Sequence, residues 1–332
     1  MVGRVLTASL YALGLGLYYL GVASLVRRFG RKNPKILLYH DCAPTETVYT
    51  AELHCTTSPD TFRAHIDYLK KHYKFVDVET IAEGRAPDGA IAITFDDGYS
   101  SVYEHAFPVL KEANVPATIY LISSVVDNAT LVWVNELNFF LRKAGPEALA
   151  CTRKHFAISG SEKVDEVISH CRLNYRPEKM GALLGELREL MKRPVAEHAA
   201  EASLYLSWDQ IAEMSEREIT FGNHSRTHPN MERLTEEEQR AEIIGAQVDL
   251  KKHLSSIQSF AHPFGHKGDS TVTLVMNAGI ACAADVGGYN VPVMAQSLGR
   301  THLSEETVAG MFARMEVVEP MKGKLRQLIG AG

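Results

Sequence analysis

Short apolar runs alternate with amphipathic segments along most of the chain. The runs are rich in β-branched and aromatic residues, which favour β-strands, while segments such as 59–71 and 102–113 carry apolar residues at helical spacing. The runs are KILLY (35–39), KFVDV (74–78), AIAITF (90–95), ATIYLI (117–122), EITFG (218–222), SFAH (259–262) and IACAA (280–284). This alternation predicts an α/β domain in which parallel strands close into a barrel wrapped by helices.

An uncharged stretch from Val5 to Val26 precedes these runs. A stretch of about 22 apolar residues crosses a hydrocarbon core about 30 Å thick, so it predicts one N-terminal transmembrane helix. A cleaved signal peptide and a buried core helix are the alternatives, although residues 21–23 form only a weak cleavage site. The basic residues that follow the stretch are Arg27, Arg28, Arg31, Lys32 and Lys35, with Arg4 before it. The positive-inside rule therefore predicts that the following domain lies on the cytoplasmic side of a membrane.

The changes in pattern predict three parts of the chain. We expect a membrane anchor and basic linker over 1–34, a catalytic domain over 35–320 and a C-terminal tail over 321–332. Within the domain, the segment from about 127 to 207 is largely helical in pattern and predicts an insertion. Its Trp133 is a candidate for sugar binding, because aromatic faces pack against pyranose rings, and packing between helices is the alternative.

Charge and cysteine content exclude two classes of protein. Lys and Arg total 35 against 40 Asp and Glu, so the formal net charge is -5. No global basic surface exists to bind nucleic acid. The cysteines number 5 and are scattered without a CxxC pair, which argues against a disulfide framework or a zinc knuckle and slightly favours a reducing compartment.

Two adjacent carboxylates, Asp96 and Asp97, follow the apolar run 90–95 and precede Gly98. Barrel enzymes carry reacting groups at such strand ends. Adjacent carboxylates repel each other unless a cation or a shared proton lies between them, which favours one metal ligand and one base. An Asp-Gly turn with solvated carboxylates is the alternative.

Two histidines, His224 and His228, lie four residues apart within GNHSRTHP (222–229). On one helical turn this spacing directs both imidazoles towards one ion. An Asp and two His leave coordination positions open for water and substrate, as catalytic metal sites require. The pattern predicts one divalent ion, with Zn²⁺ as the default and Co²⁺, Ni²⁺ or Fe²⁺ also suited to these ligands. A chance surface pair is the alternative for the histidines alone.

TFDDGY (94–99) followed by HSRTH (224–228) resembles the polysaccharide deacetylase family, the NodB homology domain of carbohydrate esterase family 4. The resemblance implies a distorted (β/α) barrel and hydrolysis of N-acetyl or O-acetyl groups on a glycan. It also implies that Asp96 is the general base and that Asp97, His224 and His228 bind the metal. Further similar segments, spread over about 35–303, are ILLYH (36–40), FAHPFG (260–265) and LGRTHL (298–303).

Two segments depart from the family pattern. Ala261 stands where many members have arginine, and His262 where proline or tyrosine is common. Arg300 is therefore our candidate for the cation that orients the base. Asp285 lies near the fourth family motif without its usual tryptophan, and an ordinary loop carboxylate is the favoured interpretation.

His302 is the candidate general acid, because a leaving amine must receive a proton, and a structural histidine is the alternative. The candidate substrate-binding residues are Tyr99, His40, Phe264 and Trp133, and for His40 a packed strand-end histidine is an equal alternative. With these candidate residues, the resemblance to the family implies a metal-dependent hydrolase that removes N-acetyl groups from an amino-sugar glycan or a lipid-linked sugar. An O-acetyl esterase or other amide hydrolase on this scaffold, and an inactive membrane-bound glycan-binding protein, are the alternatives.

Overall fold

The computed structural model describes residues 2–160 and 163–329. Its strands are β1 (Lys35–Tyr39), β2 (Asp41–Cys42), β3 (Thr56–Thr57), β4 (Lys74–Phe75), β5 (Ala90–Phe95), β6 (Ala117–Leu121), β7 (Ile219–Asn223), β8 (Ser259–Ala261), β9 (Cys282–Val286) and β10 (Leu298–His302). β1 pairs in parallel with both β10 and β5, and this closes a ring in the order β1-β10-β9-β8-β7-β6-β5. β4 adds to the outside of the ring at β5. The predicted parallel barrel is confirmed.

Helices cover the barrel and fill the long connection between β6 and β7. They are α1 (Val2–Tyr19), α2 (Ala23–Gly30), α3 (Pro59–His72), α4 (Val78–Ala82), α5 (Phe107–Ala113), α6 (Trp133–Lys143), α7 (Gly145–Phe156), α8 (Val164–Leu173), α9 (Pro177–Met191), α10 (Val195–Ala202), α11 (Trp208–Ser215), α12 (Glu236–Leu250), α13 (Thr271–Asn277), α14 (Val308–Phe312) and α15 (Glu319–Leu328). Two π-helical segments, Val102–Ala106 and Ala313–Val318, precede α5 and α15. The segment predicted as an insertion thus contains α6 to α10, while the predicted division of the chain into three parts stays a prediction.

Aromatic packing fixes α3 against the strands that lead to the site. Phe62, on the apolar face of α3, meets the ring of Tyr39 from β1 at 5.1 Å and the ring of Phe95 from β5 at 5.4 Å between centroids. All three side chains are fully buried, and burial of a large apolar side chain contributes about 1.5–3 kcal/mol. The ends of β1 and β5 are therefore held firmly at the points where His40 and Asp96 follow them.

The run 74–78 forms a shorter strand than its pattern predicts. Only Lys74 and Phe75 pair with β5. The reason is local, because the side chain of Asp77 accepts a hydrogen bond of 2.6 Å from the backbone N–H of Thr80 and caps α4. An N-cap of this kind begins a helix and ends the extended run.

The single transmembrane helix predicted over Val5 to Val26 is corrected by the structure. α1 ends at Tyr19, Gly21 adopts a left-handed φ of 75°, and α2 begins at Ala23 at an angle of 119° to α1. Among the residues that the structure describes, no single helix is long and apolar enough to cross a membrane, and only this bent pair reaches that length and composition together.

Parts of the predicted termini lie outside the described residues. These parts are Met1, the side chain of Arg4 and the last three residues of the predicted tail, 330–332. The cytoplasmic position predicted for the domain also stays a prediction.

Candidate active site

The candidate site lies where the carboxyl ends of the barrel strands meet. Asp96 and Asp97 follow β5, His224 follows β7, and Arg300 belongs to β10. All four side chains line one cavity of about 490 Å³. Asp97 and Gly98 both adopt left-handed backbone conformations, with φ of 70° and 71°, so the chain turns sharply after β5 and the carboxylates remain at the strand end.

Asp97, His224 and His228 converge within this cavity. The Oδ1 atom of Asp97 lies 3.4 Å from Nε2 of His224 and 3.3 Å from Nε2 of His228. Each residue offers one ligand atom, and these atoms lie within 4.8 Å of one another. The Oδ1 atom is buried and has no hydrogen-bond partner among the described residues. A buried carboxylate oxygen beside two imidazole nitrogens is a donor set that suits a divalent transition metal.

The histidines reach this arrangement from a loop. The expected helical turn is absent, since Ser225 and His228 have φ of 67° and 61°. Instead, Asn223 accepts a hydrogen bond from the N–H of Ser225 at 2.8 Å, and the Ser225 hydroxyl accepts one from the N–H of His228 at 3.1 Å. The predicted convergence of the two rings is present, but side-chain hydrogen bonds in the loop produce it.

A backbone carbonyl selects the tautomer of His224. Its Nδ1 lies 2.8 Å from the carbonyl oxygen of Ala261, which can only accept, so Nδ1 carries the proton. The lone pair of Nε2 is then free to face Asp97 and a metal. Ala261, which departs from the family pattern, therefore orients His224 through its backbone carbonyl.

Arg300 holds Asp96 in a buried bidentate ion pair. Its Nη1 donates to Oδ1 at 2.6 Å and its Nη2 donates to Oδ2 at 2.8 Å. The guanidinium also donates to Oγ1 of Thr94 at 3.3 Å and lies 5.2 Å above the ring of Tyr120. Arg300 thus lies beside Asp96, where the sequence predicted it.

The charges in the site shift the acid–base equilibria in different directions. Burial alone would raise the pKa of Asp96, but the Arg300 guanidinium and His224 together lower the pKa below its ordinary value. Burial likewise opposes ionisation of Asp97, and His228 and His224 keep the pKa of that carboxyl well below its ordinary value. Burial lowers the pKa of His228 to about 3 in spite of Asp97. At neutral pH both carboxylates are ionised and the His228 ring is neutral.

His302 and His40 form a pair at the cavity wall. Their rings meet edge to face at 5.2 Å between centroids, and both line the cavity. His302 is exposed at the end of β10, and partial loss of water around the ring, followed by the charges of His40 and Arg314, lowers the pKa of His302. The neutral form of His302 is therefore favoured, and it must gain a proton before it can donate one.

Three aromatic residues predicted to bind substrate lie at different depths. Phe264 lines the cavity and contacts the His228 ring at 4.3 Å. Tyr99 also lines the cavity, but its hydroxyl accepts a hydrogen bond of 2.9 Å from Asn135 and its side chain is 2% exposed. Trp133 is not part of the cavity wall. Its indole N–H donates to the carbonyl of His228 at 2.9 Å, so it supports the histidine loop from behind.

One wall of the cavity comes from α8, which no motif indicated. Asp165, Ile168, Ser169 and Arg172 line the cavity and lie three or four residues apart, on one helical face. Arg172 lies 5.4 Å above the ring of Phe264. Polar residues at helical spacing in this segment were the only sequence feature that could have indicated this wall. The sequence alone does not show which face of the helix lines the cavity.

The structure also distinguishes His262 from Asp285, two residues whose roles the sequence left open: only His262 lines the cavity. His262 is 1% exposed and lines the cavity. Asp285 forms an ion pair with Lys267 and is not among the residues of the cavity wall.

Comparison with known proteins agrees with this geometry. A family profile described as polysaccharide deacetylase matches residues 83–283. Poly-beta-1,6-N-acetyl-D-glucosamine N-deacetylase of Staphylococcus epidermidis is 33% identical over 82 residues, which cover 23% of this chain and 28% of that relative. The protein of the same name from Staphylococcus aureus is 33% identical over 76 residues, 21% of this chain and 26% of the relative. The matched stretch thus spans little more than a quarter of these relatives.

Two solved structures resemble the whole fold. The deacetylase PplD of Streptococcus pyogenes, in complex with acetate, superposes with a TM-score of 0.58 at 17% identity, covering 85% of this chain and 97% of its own. IcaB from Ammonifex degensii superposes with a TM-score of 0.56 at 20% identity, covering 86% and 97%. At these identities the likeness concerns the fold. The family match covers more than half of the chain and includes both aspartates and both histidines, and the chain belongs to the polysaccharide deacetylase family.

Proposed function

We propose that this chain is a divalent-metal-dependent hydrolase that removes the N-acetyl group of an amino sugar in a glycan or a lipid-linked sugar. The observation that carries the proposal is the convergence of Asp97, His224 and His228 within 4.8 Å, beside the Asp96 carboxylate. The staphylococcal relatives named as N-acetylglucosamine polymer deacetylases support an amino-sugar substrate.

Asp97, His224 and His228 would hold the ion, with Zn²⁺ as the default for this donor set. When bound, a divalent ion supplies Lewis acidity that activates water and polarises a carbonyl oxygen. The unpartnered Oδ1 of Asp97 supports this assignment, because a buried anionic oxygen without a donor is costly unless a cation satisfies it.

Asp96 is the proposed general base. Its Oδ2 lies 3.6 Å from Nε2 of His224, so a water molecule beside the ligand cluster is within reach of the carboxylate. Arg300 holds both oxygens of Asp96 and keeps the group ionised. The carboxylate accepts a proton from the water whose oxygen forms the new bond to the acetyl carbon.

His302 is the proposed general acid. Hydrolysis of the acetamide breaks the C–N bond, forms acetate and leaves an amine that needs a proton. Because its low pKa keeps His302 neutral beforehand, the exposed ring would take up a proton from solvent and donate it to the amine, while Asp96 retains the proton of the attacking water.

Acetate release tests the proposal. The full chain, loaded with Zn²⁺, is incubated with N-acetylhexosamine oligomers, a lipid-linked N-acetylhexosamine and O-acetylated glycans of matched length. We expect acetate from the N-acetylated substrates. Faster release from the O-acetylated glycans would favour the esterase, and binding of glycan without any acetate release would favour the inactive glycan-binding protein.

A further inference from the structure

Another cavity, of about 480 Å³, lies at the opposite end of the barrel from the candidate active site. Lys35 at the start of β1, Lys74 at the start of β4 and Ala90 at the start of β5 line it. The strands are parallel, so these residues mark the amino ends of the strands, and no residue of this cavity belongs to the site described above. The basic side chains that line it are Arg27, Arg28, Arg31, Lys35, Lys71 and Lys74.

Only part of this positive charge is neutralised. Two carboxylates line the cavity, and each already has a cation, since Glu316 lies 3.2 Å from Nζ of Lys35 and Asp88 lies 3.9 Å from Nε of Arg31. Arg28, Lys71 and Lys74 form no ion pair within residues 2–160 and 163–329. The chain as a whole has a formal charge of -5, whereas this cavity carries a net positive charge. A local positive charge of this kind attracts anions.

A buried lysine, Lys35, forms part of the cavity wall. The side chain of Lys35 is 2% exposed, and its ammonium has no partner of hydrogen-bond geometry among the described residues. Tyr73 donates a hydrogen bond of 2.6 Å to the other oxygen of Glu316 and holds that carboxylate in place. The ammonium therefore has donor capacity that no described residue uses.

α2 presents two different faces at this cavity. Ser24, Arg27 and Arg28 line it, and they lie three and four residues apart, on one side of the helix. Leu25 and Phe29 lie four residues apart and are 52% and 82% exposed. Basic residues on one face and large apolar residues on the other are typical of helices that lie in the interface of a membrane.

The exposed apolar side chains continue into the bend before α2. Tyr19 is 75% exposed and Leu20 is 78% exposed. These two residues, with Leu25 and Phe29, are termed the apolar ridge. A free anion such as inorganic phosphate would need the basic cavity but not this ridge, whereas a phospholipid needs both.

We propose that this cavity binds the phosphate group of an anionic phospholipid, with the apolar ridge in contact with the acyl layer. Arg28, Lys71 and Lys74 supply the unpaired charges, and Arg and Lys near a membrane surface favour anionic lipids. The site is independent of the deacetylase proposal, because it shares no residue with the candidate active site.

Calorimetric titration of the detergent-solubilised full chain tests this inference. The ligands are dihexanoyl phosphatidylglycerol, dihexanoyl phosphatidylcholine and inorganic phosphate, each below its aggregation limit. We expect saturable binding of phosphatidylglycerol at least about tenfold tighter than of the other two. Equal affinity for the two lipids would overturn the inference, and so would inorganic phosphate binding as tightly as phosphatidylglycerol.

Two double variants separate charge from apolar contact. Arg28→Glu with Lys71→Glu should weaken phosphatidylglycerol binding at least about tenfold, and Leu25→Ser with Phe29→Ser should remove the advantage of the lipid over inorganic phosphate. The matched control is Lys143→Glu with Lys251→Glu, at exposed positions away from the cavity. Unchanged lipid binding in the first variant, or an equal loss in the control, would contradict the proposed site.

Discussion

Asp96 is fully enclosed and yet ionised. Its carboxylate is 3% exposed and both oxygens accept hydrogen bonds from Arg300. A buried carboxylate without such a partner would take up a proton at neutral pH. The ion pair therefore keeps the buried carboxylate of Asp96 ionised, and single substitutions of either residue test different parts of this arrangement.

Asp96→Asn should retain the metal and lose most hydrolysis. The amide keeps the shape of the side chain but cannot accept a proton, and a general base contributes about 10²- to 10⁴-fold. Elemental analysis and the rate of acetate release measure the two properties. Glu112→Gln, in a surface ion pair with Arg63, is the control and should match the wild type. A variant of Asp96 with normal turnover would remove it from the base role.

Arg300→Gln should move the acidic limb of the kcat/KM profile to higher pH. Arg300 lowers the pKa of Asp96, so without the guanidinium the pKa rises and the base is lost to protonation at a higher pH. The stabilisation from the depressed pKa is present above the unfolded value of about 3.9 and disappears as pH falls through the folded pKa. Removal of one partner of a buried ion pair also costs about 3–5 kcal/mol.

Arg300→Lys is the matched rescue variant. It keeps the positive charge but not the two parallel hydrogen bonds, so its pH profile and its free energy of unfolding should lie between those of the wild type and Arg300→Gln. Identical pH profiles in all three proteins would assign Arg300 a purely structural role.

His302→Ala should impair amide substrates more than activated esters. An amine leaving group needs a proton, whereas a nitrophenolate does not, so loss of the acid affects only the former. The measurement compares kcat for an N-acetylhexosamine and for nitrophenyl acetate, with His40→Ala as the neighbouring control. Equal losses on the two substrates would exclude His302 as the acid.

At the scale of elements, α1 lies against the C-terminal helical segment at very short range. A Cβ atom built on Gly14 would lie 2.6 Å from Cβ and 2.7 Å from Cα of Ala313. The ring of Tyr18 also packs at 5.5 Å from the ring of Phe312. The absence of a side chain at Gly14 therefore permits the contact between the two ends of the chain.

Gly14→Ala should destabilise the protein, and Gly16→Ala should not. Both substitutions improve helix propensity by about 1 kcal/mol, but the new methyl group at position 14 meets the backbone of Ala313, while position 16 has nothing within 4 Å. Overpacking of this kind costs about 1–3 kcal/mol. Thermal unfolding of the two variants in parallel measures the difference. A higher melting temperature for Gly14→Ala would show that α1 does not pack this way.

At the scale of the whole molecule, the candidate metal ligands connect distant parts of the barrel. Asp97 follows β5, while His224 and His228 follow β7, and β6 lies between these strands. An ion held by all three would therefore link the carboxyl ends of separate strands, and binding to the folded state alone stabilises that state.

Chelation should lower the melting temperature as well as abolish acetate release. At a free metal concentration of about 100 times Kd the ion adds about 2.7 kcal/mol, equivalent to roughly 5 °C for a domain of this size. Differential scanning calorimetry with and without a chelator measures the shift. His224→Ala serves as the control, because a protein that has lost the site should show no response to the chelator.

Local patterns in the sequence were sufficient for the parallel barrel and for Asp96, Asp97, His224 and His228 as candidates. Strand periodicity, a carboxylate pair at a strand end and the spacing of two histidines all involve residues near one another in the chain, so their physics is visible without the fold. The helical turn predicted for the histidines was not correct, because Asn223 and Ser225 form side-chain hydrogen bonds that build a loop instead.

Other features depended on the tertiary structure. The resemblance to the family made Arg300 a candidate, but Arg300 and Asp96 are 204 residues apart in the chain, and only closure of the barrel brings the guanidinium onto both carboxylate oxygens. The face of α8 that lines the cavity, the position of Trp133 behind His228 and the bend between α1 and α2 likewise follow from how elements pack. Composition and periodicity determine which elements form, whereas long-range packing determines which of their side chains meet.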